Sequence, residues 1–186
     1  MNANKRTARV ELAVMKNRVR IGPFILGMIF LNANIFAQIK SWNIETTKDG
    51  KVTVKSRILE RTDDKGGAVQ LIEYVATMIA SVEMRDCITV LKDGSKHKEF
   101  TDDEVSKTVE TLSDNEWIIY YYTNSPWPMP DNDCVAKMVL SEDETNKTAT
   151  FILTAAPSMF EMKDVKRMTF YNVTYTFNDL ENDEVK

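Results

Sequence analysis

His97 is the only histidine in the chain. It stands between Lys96 and Lys98, whose positive charges disfavour a metal ion, and no second His or Cys stands at ligand spacing. A Ser–His–Asp arrangement would have to use His97, yet the sequence holds no G-x-S-x-G elbow. Its six glycines form no phosphate-cradling pattern. Carboxylates pair at Asp63/Asp64, Asp102/Asp103 and Asp131/Asp133. Each pair sits in a turn-like stretch, where Asp side chains bond nearby backbone, and turn chemistry explains them. The residues therefore show no catalytic set, no metal ligands and no cofactor motif.

Charge narrows the partners. Of 24 basic and 28 acidic side chains, six basic ones and Glu11 fall in residues 1–37, leaving 18 against 27 over residues 38–186. A body that acidic, with no basic cluster, argues against holding nucleic acid or an anionic membrane by charge.

The basic residues mark an address. Lys16, Arg18 and Arg20 precede an apolar run from Ile21 to Phe36, followed by Ala37 and Gln38, the pattern of a secretory signal peptide. Met15 is the better start, so the reading is an extension over 1–14 that is untranslated or disordered, a signal over 15–37, and one domain over 38–186. Cleavage after Ala37 implies a periplasmic or secreted protein. An uncleaved signal acting as a membrane anchor is the alternative. An oxidising compartment would permit a Cys87–Cys134 disulfide, although buried thiols are the commoner outcome for two cysteines among apolar neighbours.

The elements that would position any chemistry are mostly strands. Trp42 to Glu45 and Lys51 to Leu59 alternate around an Asp49-Gly50 hairpin signal. Ala68 to Ala80 is a long strand, apolar on both faces, so both faces should be covered. Ser81 is placed to cap a helix in which Met84, Cys87, Ile88 and Leu91 form one stripe. Asp93-Gly94 ends it, and Ser95 to Asp103 reads as a short helix or turn. Val105 to Leu112 fits helix and strand periods alike. Cys134 to Leu140 and Ala149 to Ala155 alternate, and Val165 to Phe177 reads as one long strand.

The most informative stretch is Tyr120 to Asp133. An aromatic strand runs into Pro126, Pro128 and Pro130, which fix φ and cannot continue a central strand. Asp131, Asn132 and Asp133 then turn the chain into the strand at Cys134.

This P-W-P loop with its aspartate resembles the START domains, the lipid-transfer domains related to the steroidogenic acute regulatory protein. Other points follow in the family's order: Trp42, the Arg57-bearing strand, Leu91-Lys92-Asp93 closing a helix, Phe100, and Val165-Lys166-Arg167. On that resemblance Val105 to Leu112 is assigned as a strand. The implied fold is α+β, a helix-grip (START/Bet v 1-like) curved antiparallel sheet with one or two short helices. The chain departs from the family in lacking the gripped C-terminal helix. It also has Asn132-Asp133 for Arg-Asp, and Ile119 and Met138 where some members bury an acid–base pair.

The resemblance implies a lipid or other hydrophobic small molecule in an apolar cavity, no cofactor, and at most transient membrane contact. Cavity candidates are Ile119, Tyr121, Cys134, Ala136, Met138, Phe151 and Leu153. Trp127 is expected to brace the loop, with Asp133 and Arg167 as structural motif residues. An open sheet face suggests a homodimer. The alternatives are a helix-grip enzyme of cyclase or hydrolase type, with Glu73 and Arg167 as its candidates, or a truncated remnant acting only through interactions.

Overall fold

The computed structural model describes residues 7–17, 41–62, 66–161 and 163–180, with backbone only at 7–17, 61 and 69. Ten strands form one sheet: β1 (Thr7–Asn17), β2 (Asn43–Thr46), β3 (Val52–Thr62), β4 (Ala68–Ala80), β5 (Val105–Ser113), β6 (Glu116–Thr123), β7 (Asn132–Asp143), β8 (Thr148–Ala155), β9 (Lys166–Arg167) and β10 (Tyr171–Leu180). The spatial order is β2-β3-β4-β1-β10-β8-β7-β6-β5, antiparallel throughout, with β9 parallel to the start of β7. Between β4 and β5 lie helix α1 (Met84–Lys92) and a 3₁₀ helix (Gly94–Glu99). This is the expected α+β architecture, and Val105–Ser113 is a strand as assigned.

β1 pairs with β4 on one side and β10 on the other. It spans Met15, so it takes in residues assigned both to the extension and to the start of the export signal. Residues 18–40, with the apolar run and the cut after Ala37, lie outside the described residues. Among the described residues no helix follows β10.

The core lies under α1. Ile88 and Leu91 bury their stripe against Trp117, Ile119, Met138, Phe151 and Leu153 on the inner face of the sheet. Each such side chain contributes roughly 1.5–3 kcal/mol by leaving water. β6 is buried on its outer face as well, where Ile118 and Tyr120 meet Val135 and Phe160. That explains its unbroken aromatic and β-branched run.

Four local expectations change. α1 is capped not by Ser81 but at Glu83, with no side-chain cap bond. Gly94 does more than end a helix: a Cβ there would stand 2.8 Å from the Thr108 backbone N and 2.9 Å from Ile119 Cδ1, so the close approach requires glycine. β4 is not covered on both faces, since Ile79 is 56% exposed on one and Ile72 42% on the other. Val165 to Phe177 breaks into β9 and β10, because Arg167 turns inward to Asp133 while Met168 N donates to the Asp133 carbonyl at 2.8 Å.

Candidate functional site

Alternation along three strands brings four tyrosines to one place. Tyr74 on β4, Tyr121 on β6, and Tyr171 and Tyr175 on β10 face a cavity of about 190 Å³. Phe100 closes its aromatic wall, meeting Tyr175 edge-on at 6.3 Å between centroids. Cys134 and Met168 supply the remaining soft lining.

The roof is the segment Phe100 to Asp103, following the 3₁₀ helix. Its backbone is anchored at both ends: Phe100 N and Thr101 N donate to the His97 carbonyl, and Glu104 N donates to the Tyr122 carbonyl at 2.9 Å. Asp103 Oδ1 accepts the Thr123 hydroxyl at 2.6 Å. Asp102 and Asp103 both line the cavity, so this pair is more than turn chemistry. Thr101 lines it too, and its Oγ1 is buried without a hydrogen-bond partner. An unpaired buried hydroxyl costs free energy that a ligand can recover.

His97, in a polar segment between two lysines, is 1% exposed. Its Nε2 lies 2.8 Å from the Leu91 carbonyl and its Nδ1 2.6 Å from Tyr121 Oη. A carbonyl can only accept, so Nε2 carries the proton in the neutral ring. Nδ1 is then the acceptor and Tyr121 the donor. Burial lowers the His97 pKa below its usual range, outweighing the Leu91 carbonyl, Asp93 and Asp103, which raise it. The imidazole is thus neutral at pH 7, and Tyr121 reaches the cavity with only oxygen lone pairs to offer.

All four tyrosine hydroxyls are pushed above their usual range. Burial is the first cause in each case, and the negative charge of Asp103 adds to it at every one. The tyrosines therefore act as neutral groups.

The sequence-derived candidates separate. Tyr121 and Cys134 line the cavity. Ile119, Ala136, Met138, Phe151 and Leu153 are fully buried beside it as close-packed core. Asp133 and Arg167 form a buried ion pair, with Arg167 Nη2 2.6 Å from Asp133 Oδ2. Arg167 also donates to the carbonyls of Pro157, Phe160 and Glu161. Trp127 does not brace its loop: it is 93% exposed. That work falls to Asp131, which accepts from Tyr122 Oη at 2.8 Å and Ser125 N at 2.9 Å. Glu73 pairs with Arg57, which stacks on the Trp42 ring at 4.3 Å. Glu73 alternates with Tyr74, so it faces away from the cavity. No disulfide joins Cys87 and Cys134. Among the described residues no group of three or more His, Cys, Asp or Glu is placed to hold a metal.

No protein-family model and no curated protein sequence matches the chain. A solved structure does. The crystal structure of a STAR-related lipid transfer protein (fragment 25-204) from Xanthomonas axonopodis matches with a TM-score of 0.54 at 17% identity. The match covers 76% of this chain and 83% of that one. The fold is START-like. In this START-like sheet β6 and β7 give the cavity Tyr121 and Cys134, whereas β10 gives Tyr171 and Tyr175 and β4 gives Tyr74. The cavity lies further along β6 and β7, beneath the roof and against β10. The signal that would have found it was two tyrosines four residues apart on one face of β10, with Tyr74 on the apolar face of β4.

Proposed function

We propose that this START-like protein binds a lipid or another hydrophobic small molecule in the tyrosine-lined cavity. One observation carries the reading. Tyr74 lines the cavity, and its neighbours on the same face of β4, Ile72 and Met78, are exposed beside it. The cavity, at about 190 Å³, suits a group somewhat larger than benzene, which fills an engineered void of roughly 150 Å³. An attached apolar chain has the Ile72–Met78 strip to lie along, extended by the exposed Ile58 opposite Ile72 on β3. The lipid-transfer neighbour supports the same reading by analogy of fold.

Native mass spectrometry of the purified protein, before and after incubation with phospholipid vesicles, tests it. A bound amphiphile in one-to-one ratio is expected, displaced by an apolar fluorophore. Repeated failure of well-folded protein to retain any lipid or fluorophore overturns the proposal.

Export to the periplasm or medium is a separate proposal that rests on the Lys16–Ala37 pattern alone, because cleavage after Ala37 would remove β1, which pairs with both β4 and β10 beside the cavity. Sequencing the N-terminus of secreted material should read from Gln38. An intact run from Lys16 to Ala37 on the isolated protein would count against it.

A further inference from the structure

We propose that the cavity selects an organic cation, an ammonium group carried on an apolar tail. This deepens the proposed binding function and rests on it. Four features of the site point the same way, and none of them is the aspartate pair alone.

First, the wall is aromatic. Five rings, Tyr74, Phe100, Tyr121, Tyr171 and Tyr175, are among the groups lining a space of about 190 Å³. A ring face carries negative quadrupole, so a cation seated against one is attracted to it. An apolar molecule of the same size needs no such wall; leucine and valine would serve it as well.

Second, every formal charge on the lining is negative. Asp102 and Asp103 stand in the roof, and no Lys or Arg is among the described residues that line the cavity. Asp103 spends one lone pair on the Thr123 hydroxyl. An ionised carboxylate has about four acceptor positions, so it remains able to receive an ammonium. A carboxylate or phosphate in the same place would meet unrelieved repulsion.

Third, the field of Asp103 reaches the whole site. It raises the hydroxyl pKa of each of the four tyrosines, which lie on three different strands. The same field that resists a phenolate stabilises a cation.

Fourth, the Tyr121 proton is committed. His97 Nε2 must donate to the Leu91 carbonyl, which leaves Nδ1 to accept from Tyr121 Oη at 2.6 Å. Tyr121 presents lone pairs only, so its partner in the cavity has to be a donor or an electropositive methyl. Thr101 Oγ1, buried and unpartnered, is a second acceptor on the same lining.

The test compares three probes with one tail: hexylammonium, hexan-1-ol and hexanoate, titrated calorimetrically into the full chain. Hexylammonium should bind roughly tenfold tighter than hexanol, with hexanoate weakest. Asp103→Asn keeps the side-chain shape and an acceptor for Thr123. It should cut hexylammonium affinity by roughly tenfold and leave hexanol within about twofold. Asp102→Asn, at an exposed position, should move affinity in the same direction if Asp103→Asn fails to fold. Equal binding of hexylammonium and hexanol, or no change in both aspartate variants, overturns the cation inference while leaving hydrophobic binding intact. If no probe and no apolar fluorophore binds, the lipid-binding reading falls with it. A second arm uses vesicles of a phospholipid with a primary-amine headgroup. Intact lipid carried off by the protein assigns the cation to a headgroup. Retention of hexylammonium alone assigns it to a free amine, and either result supports the inference.

Discussion

Tyr121 Oη lies 2.6 Å from His97 Nδ1 with both side chains buried, and this one contact sets the protonation of the site. Because His97 is neutral in the fold, its protonation works against folding. The unfolded chain takes up a proton below its usual pKa of 6.5, whereas in the folded state burial holds the pKa lower. Stability present above pH 6.5 is therefore lost as the pH falls through the lower folded value. The urea midpoint should drop as the pH is lowered below about 6.5. The carboxylates Asp49, Asp93 and Asp131, lowered from 3.8 mainly by side-chain or backbone hydrogen bonds, act in a separate window at more acid pH. With one histidine in the chain, the imidazole NMR signals report the titration without ambiguity. A flat midpoint together with titration near 6.5 would refute this account.

Two threonines with opposite hydrogen-bond status should respond oppositely to removal of their hydroxyls. Thr101 Oγ1 is buried and unpartnered. Thr101→Val should be neutral or stabilise the empty protein by up to about 1 kcal/mol while weakening capture of a polar ligand. The Thr123 hydroxyl donates to Asp103 at 2.6 Å. Thr123→Val should cost about 1.5–3 kcal/mol, the worth of a bond to a charged group. Urea denaturation of the two variants beside the parent checks the contrast. Destabilisation by Thr101→Val equal to that by Thr123→Val would show that Thr101 has a partner.

Strands were legible because their signal is local. Period-two alternation from Cys134 to Leu140 and from Ala149 to Leu153 marks faces that are buried in the structure. The P-W-P loop and its aspartate named the fold. The cavity was less legible because its lining comes from separated segments: Tyr74, the Phe100–Asp103 roof and Tyr171–Tyr175 meet only through sheet order. The ungapped positions Ile119 and Met138 lie on the right face, but α1 fills the space above them. His97 was hidden by its neighbours. A 3₁₀ helix turns Lys96 and Lys98 outward while His97 points in, and a window of charged residues gives no hint of that rotation.

Trp127 offers a check on what holds the proline loop. It is 93% exposed, whereas Asp131 ties Tyr122 to Ser125 across the loop base. Trp127→Ala should leave stability within about 0.5 kcal/mol of the parent. Asp131→Ala should cost more than Trp127→Ala, because it removes the acceptor of both the Ser125 N–H and the Tyr122 hydroxyl. Thermal denaturation distinguishes the two. A larger loss at Trp127 than at Asp131 would restore the aromatic as the brace.

The Asp133–Arg167 pair makes the strongest stability prediction. Both side chains are buried, with Arg167 Nε 3.0 Å from Asp133 Oδ1 and Nη2 2.6 Å from Oδ2. Asp133→Asn keeps the shape and removes the charge, leaving a buried guanidinium without its counter-ion. Such a change costs about 3–5 kcal/mol. Replacing both partners with apolar residues often restores much of that loss, but here the restoration should be incomplete. Arg167 also satisfies the carbonyls of Pro157, Phe160 and Glu161 at 2.8–2.9 Å, and no apolar side chain can do so. The segment those carbonyls hold carries Phe160 onto Tyr120, with ring centroids 5.1 Å apart, and so covers the outer face of β6. The double variant Asp133→Leu/Arg167→Met should therefore refold with residues 157–161 open to protease and to amide exchange. Full recovery of stability and protection in that variant would reduce Arg167 to a counter-ion and remove its role as the clasp of the loop.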